Sequence, residues 1–341
     1  MPTMKIGEKI IGKNNPPLMI AEEGQANQGD FDLALKMIKI AADSGADGIE
    51  FQFFLANDMY IYNDPGYEIY KSRELYETQI TDLIKNCHSN GLICQVAGFS
   101  PKIIEICANS GADIFSINAT DLNNPFIIDA VISTEKPFWL ATLMGTMEEI
   151  DWAVNYVSSR SKADFGILHG QHVMSSQLYK GVPAELLQLE CIKLFKDRYN
   201  LVVGFVDHTD TKFVPSLAVA HGANAVTKHL APKIDWVGPD SDICLDPDSW
   251  KESKKMFDFS IKSMGASKEI SQAEFSDRSI HRRSVYTIKP LKAGHILSSE
   301  DLSALRPGIN GIDPRDILNI VGKKLLHDLP VQHQLSNNDF I

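Results

Sequence analysis

The chain has 341 residues, 44% hydrophobic and 23% charged, and its 33 lysines and arginines against 44 aspartates and glutamates give a formal charge of −11. That usage supplies one large core with a small second domain and excludes extensive disorder, while an acidic surface repels phosphate backbones and excludes nucleic acid as the main partner. No run approaches the roughly 18 apolar residues of a membrane span and Met1 to Gly12 lacks a signal peptide's apolar stretch, so a soluble, cytoplasmic protein without a membrane partner is expected.

Short apolar runs alternate with helix-period segments, the pattern of a parallel sheet wrapped by helices. In chain order, strands are predicted at Leu18–Glu22, Gly48–Phe53, Leu92–Ala97, Ile114–Ile117, Phe138–Thr142, Phe165–His169, Leu201–Phe205 and Ala225–Lys228, eight in all. Asp30 is placed to cap a helix with Ala34, Met37, Ile38 and Ala41 on one face, ended by Gly45, and the next helix closes at Gly91. Ser100-Pro101 supplies an N-cap and a first-turn proline for a helix carrying Ile103, Ile104 and Cys107, with Gly111 past its end. Ser44-Gly45-Ala46-Asp47 and Ser110-Gly111-Ala112-Asp113 are one tetrapeptide, and His221-Gly222-Ala223-Asn224 is a near copy, each where a helix hands over to a strand. A repeated β/α unit follows, and eight units suit a closed (β/α)8 (TIM) barrel with its active site at the carboxyl ends of the strands. No GxGxxG follows the first strand, which argues against an open doubly wound sheet.

After Trp250 one more helix, Lys251 to Ser263, leads into a polar stretch with little periodicity. The expected organisation is a barrel over 1–264, a linker over 265–284 and a compact β-rich module over 285–341, too small to be robust alone. The five cysteines (Cys87, Cys94, Cys107, Cys191, Cys244) are odd in number and form no CxxC pair, against both a disulfide framework and a zinc knuckle; Cys94 and Cys107 sit in apolar runs and read as inert packing.

In such a barrel the chemistry belongs to polar residues at strand ends: Glu22, Glu50 and Gln52, His169 and His172, Asp207-His208, and Lys228-His229. His208 and His229 would project from neighbouring strands into one mouth, which suits two imidazole ligands of a divalent cation. Glu22 fits a general base or a ligand of metal-bound water.

Val203 through Thr209 with His208, Lys228-His229, Gly238-Pro239-Asp240, Ala21-Glu22 before Gly24, and Phe51-Gln52 together resemble the sialic acid synthase family over nearly the whole chain. That resemblance implies a metal-dependent enzyme that condenses phosphoenolpyruvate with an N-acylated hexosamine aldehyde to a nonulosonic acid. It also implies that Val285 to Ile341, with Arg306-Pro307-Gly308, is a small antifreeze-like (SAF) domain that covers the partner's barrel in a homodimer. Carried over by position, His208 and His229 become ligands of manganese or magnesium, which polarises the aldehyde oxygen. Glu22 matches the catalytic acid/base, with Asp121 beside it as a second catalytic carboxylate. Gln52, Asp121 and Asp240 match sugar-binding or metal-water positions, Glu50, His169 and His172 count as substrate contacts, and Arg306 is the arginine donated across the dimer.

The departures fall on the family's phosphate cradle. Its Lys-Phe-Gln is Glu50-Phe51-Gln52 here, its strand-four lysine and serine fall at Ser116 and Ala119, and serines fall at Ala141 and Val206. A family asparagine falls at His172. Each change removes a donor or a cation, and charge-assisted bonds of that kind contribute about 1.5–3 kcal/mol apiece. Phosphoenolpyruvate is therefore expected to be a poor substrate or none, unless Lys102, Arg160 or Lys180 substitutes. The leading expectation is a synthase of this family. The alternatives are a relative with a lost phosphate site, performing metal-dependent aldol cleavage, isomerisation or dehydration on a sugar, and a non-catalytic sugar-binding protein.

Overall fold

The computed structural model describes residues 2–174 and 178–341. Before the barrel comes a hairpin that the strand count did not include, β1 (Thr3–Ile6) antiparallel to β2 (Lys9–Gly12). Eight parallel strands follow: β3 (Leu18–Gly24), β4 (Gly48–Phe53), β5 (Ile93–Gly98), β6 (Ile114–Ile117), β7 (Phe138–Ala141), β8 (Phe165–Gly170), β9 (Val202–Asp207) and β10 (Ala225–His229). The sheet closes because β10 pairs with both β9 and β3. Strand parity splits the core in two. Ile49, Phe51, Phe115, Ile167 and Phe205 pack outward against the helices. Ile20, Ile114, Trp139, Leu168 and Val206 fill the interior, where Met4, Ile6 and Ile11 of the hairpin join them.

The repeated tetrapeptide has a structural cause. Gly45, Gly111 and Gly222 adopt φ of 81°, 99° and 95°, the left-handed conformation that ends each helix. The residue two places on then ties the turn to the preceding strand: Asp47 accepts from the Met19 N–H at 3.0 Å, Asp113 from Cys94 at 2.8 Å and Asn224 from Val203 at 3.3 Å. The helix caps are those read from sequence, with Asp30 accepting from Leu33 N–H at 3.0 Å and Ser100 from Ile103 at 3.2 Å. Cys87, Cys94 and Cys107 are buried and unpaired, and burial pushes the Cys107 thiol well up.

The chain divides into two units, 1–265 and 266–341. In the second, β11 (Ser284–Thr287) pairs antiparallel with β12 (Leu302–Leu305) beside a small core that includes Val285, Leu297, Leu325, Leu335 and Phe340. The stretch read as a linker carries a helix, Gln272–His281, started by a Ser271–Glu274 capping box and burying none of its residues. Its large apolar residues, Phe275 and Ile280, are exposed, so the sequence signal for it was the Ser271–Glu274 capping box. Among the described residues no helix is long and apolar enough to cross a membrane.

Candidate active site

Register assembles the site. Glu22 of β3 lies opposite His229 of β10 on one side and Glu50 of β4 on the other, and Glu50 lies opposite Gln95 of β5. Parallel strands in this register put all four side chains in one row at the carboxyl end of the barrel. A bulge between Glu22 and Gly24 turns β3 away at its end. Gly24 has φ of +60°, and a Cβ there would stand 3.3 Å from His229 Cε1.

Glu22, His208 and His229 each offer a ligand atom, all within 4.8 Å of one another, and all three residues are buried. His229 Nε2 lies 3.3 Å from Glu22 Oε2. The rings of His208 and His229 are 5.2 Å apart at their centroids, and His172 stands 5.5 Å from His208. His208 Nδ1 donates to the Gln171 carbonyl at 3.0 Å, which leaves Nε2 as its lone-pair atom. Gln52 Nε2 donates to Glu22 Oε1 at 3.1 Å, and Gln95 Nε2 to Glu50 Oε2 at 2.8 Å.

Burial sets the protonation states. It holds His208 well below the usual imidazole range, with His229 and His172 adding to the effect, and holds His229 down at about 4 against the opposing pull of Asp240. Both imidazoles are thus neutral near pH 7, the form that binds metal. Burial pushes Glu22 up to about 7 despite the Gln52 hydrogen bond. Glu50 is raised well above the carboxylate range by burial and then by the Glu22 charge, so it bears on an anion less by repulsion than by the cation it replaces. Two neutral imidazoles beside a carboxylate fit a divalent ion that keeps open positions for substrate.

The mouth encloses about 210 Å³ and is lined by Glu22, Glu50, Gln52, His172, His208, His229 and Asp240 together with Ser116, Asn118, Ala119, Thr120, Ala141, Met144, Met174 and Val206. Among the described residues no lysine or arginine lines it. Lys228 is fully buried behind it, 3.2 Å from Asp207 and donating to the Thr209 carbonyl. Of the proposed substitutes, Lys102 is exposed on the helix Pro101–Ser110, and Arg160 stacks on Tyr156 at 3.8 Å. Lys180 lines an adjoining recess of about 500 Å³ that shares Met174 and Asp240 with the mouth.

One residue expected in the site is not brought to it. His169 has the parity of Ile167, faces the helices, and bonds the carbonyls of Leu187 at 3.3 Å and Gln188 at 3.1 Å. Asp121, which accepts from Asn124 at 2.7 Å and from the lining Thr120 Oγ1 at 3.4 Å, stands at the edge of the mouth. Arg306 lies in the second unit, at the end of β12. Asn118, Met144 and Met174 were missed because loops carry them, Thr120 because it sits in the one-turn helix Ala119–Asp121, and Gln95 because only register shows that it faces Glu50.

Fold and site together define a (β/α)8 barrel with an imidazole–carboxylate centre at the carboxyl ends of its strands. The NeuB family model matches residues 37–269 and the SAF domain model residues 282–340; the chain belongs to the NeuB family. It is 30% identical to an uncharacterised protein of Methanocaldococcus jannaschii, with 96% of each chain covered. It is 29% identical to the N,N'-diacetyllegionaminic acid synthase of Legionella pneumophila, over 95% of this chain and 94% of that one. The crystal structure of N-acetylneuraminic acid (sialic acid) synthetase from Leptospira borgpetersenii in complex with citrate superimposes with a TM-score of 0.74 at 25% identity, covering 81% of this chain and 95% of that one.

Proposed function

We propose that this chain is a metal-dependent carbon–carbon bond-forming synthase that joins a three-carbon enol donor to an N-acylated amino-sugar aldehyde, giving a nonulosonic acid. The observation that carries the reading is the convergence of Glu22, His208 and His229 within 4.8 Å at the barrel mouth, in a chain similar to synthases of this class along nearly its whole length. His208 and His229 would hold manganese or magnesium, which when bound supplies a Lewis acid for the aldehyde oxygen. Glu22, 3.3 Å from His229 and ionised once an ion is held beside it, would be the base that accepts a proton at the reacting centre. Gln52 orients that carboxylate, while His172 and Asp240 contact the sugar across the mouth. A soluble, cytoplasmic homodimer is part of the reading, with 285–341 covering the partner's barrel and the exposed Arg306 entering it. Truncation after Gly265 then abolishes sugar binding while the barrel stays folded; unchanged affinity would remove Arg306 from the site.

A mouth that no lysine or arginine lines among the described residues favours a second reading of the donor, in which the three-carbon unit bears no phosphate. Calorimetric titration of the metal-loaded chain with phosphoenolpyruvate, and phosphate release with a panel of N-acyl hexosamines, separates the two. Micromolar affinity with sugar-dependent phosphate release supports the phosphorylated donor, and the absence of both supports the other.

A further inference from the structure

Behind Glu22 runs a chain of side chains that the reaction itself does not require. Arg73 Nη1 donates to Gln25 Oε1 at 2.7 Å, Gln25 Nε2 faces Gln52 Oε1 at 3.5 Å, and Gln52 Nε2 donates to Glu22 Oε1 at 3.1 Å. An amide can point either way, but the ends of this chain cannot: a guanidinium only donates, and an ionised carboxylate only accepts. Arg73 fixes which atom of Gln25 faces inward, Gln25 fixes Gln52, and every donor then points toward Glu22. Glu22 Oε1 is thereby occupied and Oε2 is left facing His229 Nε2 at 3.3 Å.

The fold holds this arrangement closed. Gly29, at φ +87°, presses the loop after β3 against the segment that carries Arg73; a Cβ there would lie 2.8 Å from Arg73 Cα and 2.9 Å from the Ser72 carbonyl. Glu74, next in sequence, accepts from the Ala56 N–H at 2.7 Å and pins the segment from its other side. The space left among Gln25, Gln52, Arg73, Phe53 and Leu75 is about 10 Å³, room for no more than a single water, so the links meet directly.

We infer that Arg73 and Gln25 are positioning residues that, through Gln52, set which oxygen of Glu22 is presented to the metal centre. The inference rests on the reading of Glu22, His208 and His229 as that centre. Removing such outer partners costs on the order of tenfold in metal affinity. Titration of the full chain with Mn²⁺ by calorimetry, with melting temperature as the check on folding, compares the parent with Arg73→Met, Arg73→Lys, Gln25→Met and the double variant Arg73→Met/Gln25→Met. The expected result is about a tenfold loss in each methionine variant, recovery to within about threefold of the parent in Arg73→Lys, and no further loss in the double variant, because links of one chain fail together. Additive losses, or an unchanged affinity in a folded Arg73→Met, overturn the relay. Selective ¹⁵N-glutamine labelling of the metal-free chain tests it without the metal: the Gln52 side-chain amide signal moves in Arg73→Met if the relay exists and coincides with the parent if it does not. A parent that binds no Mn²⁺ refutes the metal reading, and the amide signal then decides the relay alone.

Discussion

Replacing Lys228 by methionine should damage the barrel more than any exposed charge change, because it strands an acid in the core. Lys228 and Asp207 are both fully buried and 3.2 Å apart. Asp207 Oδ1 accepts from the Thr209 N–H at 2.8 Å, while Oδ2 has no hydrogen-bond partner and depends on the lysine charge. Methionine keeps the length of the side chain, so little volume changes and the electrostatic loss dominates. Breaking a buried pair from one side costs about 3–5 kcal/mol. At roughly 2 °C per kcal/mol for a large unit, the melting temperature falls by roughly 6–10 °C. Scanning fluorimetry of the metal-free chain reads this, with Lys228→Met/Asp207→Asn as the partner experiment. Asparagine can still accept from Thr209 without a charge, so the double variant should recover at least half of the loss. A fall below about 2 °C, or a double variant as unstable as the sum of the singles, refutes the pairing argument. Because the pair adjoins His208 and His229 in sequence, Mn²⁺ affinity should fall with stability and return with it.

Gly24→Ala should weaken Mn²⁺ binding in a chain that still folds, since the left-handed backbone alone costs a side chain about 1–2 kcal/mol and the new methyl would crowd His229 at 3.3 Å; calorimetry beside a melting curve checks it, and parent-like affinity counts against the close approach. Between pH 6.5 and 8 metal affinity and metal-free stability should run in opposite directions. A bound ion must displace the Glu22 proton, held to about 7, so affinity rises with pH, whereas His229, neutral above about 4, contributes nothing in this window. Folding, by contrast, favours the protonated forms of Glu22 and of Glu23, held at about 8, relative to an unfolded value of 4.5, so stability falls as pH rises, most clearly above pH 7, since below it the unfolded imidazoles of His208 and His229 shed protons that the folded chain does not hold and offset part of the fall. Parallel slopes in denaturant melts and metal titrations would contradict this assignment. Phosphoenolpyruvate should bind weakly to the metal-loaded chain, and Lys180→Ala should abolish whatever binding remains, because Lys180 lines the recess beside Asp240; equal heats for parent and variant would exclude that lysine.

The barrel was legible because its signals are local. Apolar runs, Gly-terminated helices and a tetrapeptide repeated at helix-to-strand turns each report a few neighbouring residues, and the structure adds the reason for the repeat in the Asp47, Asp113 and Asn224 tethers. His208 and His229 were legible as a pair because neighbouring strand ends must meet at a barrel mouth. His169 was open to a parity count that would have turned it outward: Leu168 packs inside, so its neighbour cannot. The hairpin β1–β2 was too short to register, and the helix Gln272–His281 carries only two large apolar residues, its legible signal being the Ser271–Glu274 capping box. Arg73 lies 48 residues from Gln25 and meets it only through tertiary packing, so nothing in the sequence ties it to Glu22.

Everything proposed for this chain depends on Glu22, His208 and His229 forming a metal centre that makes a carbon–carbon bond. Mass spectrometry of metal-loaded chain incubated with N-acyl hexosamines and either phosphoenolpyruvate or pyruvate tests it most directly, with chelated protein and His208→Ala as controls. The expected result is a new acid heavier than the sugar by a three-carbon keto-acid unit, formed only with metal and with His208 intact. The same acid formed equally by chelated protein or by His208→Ala, or no such acid from a parent shown to hold its metal, would contradict it.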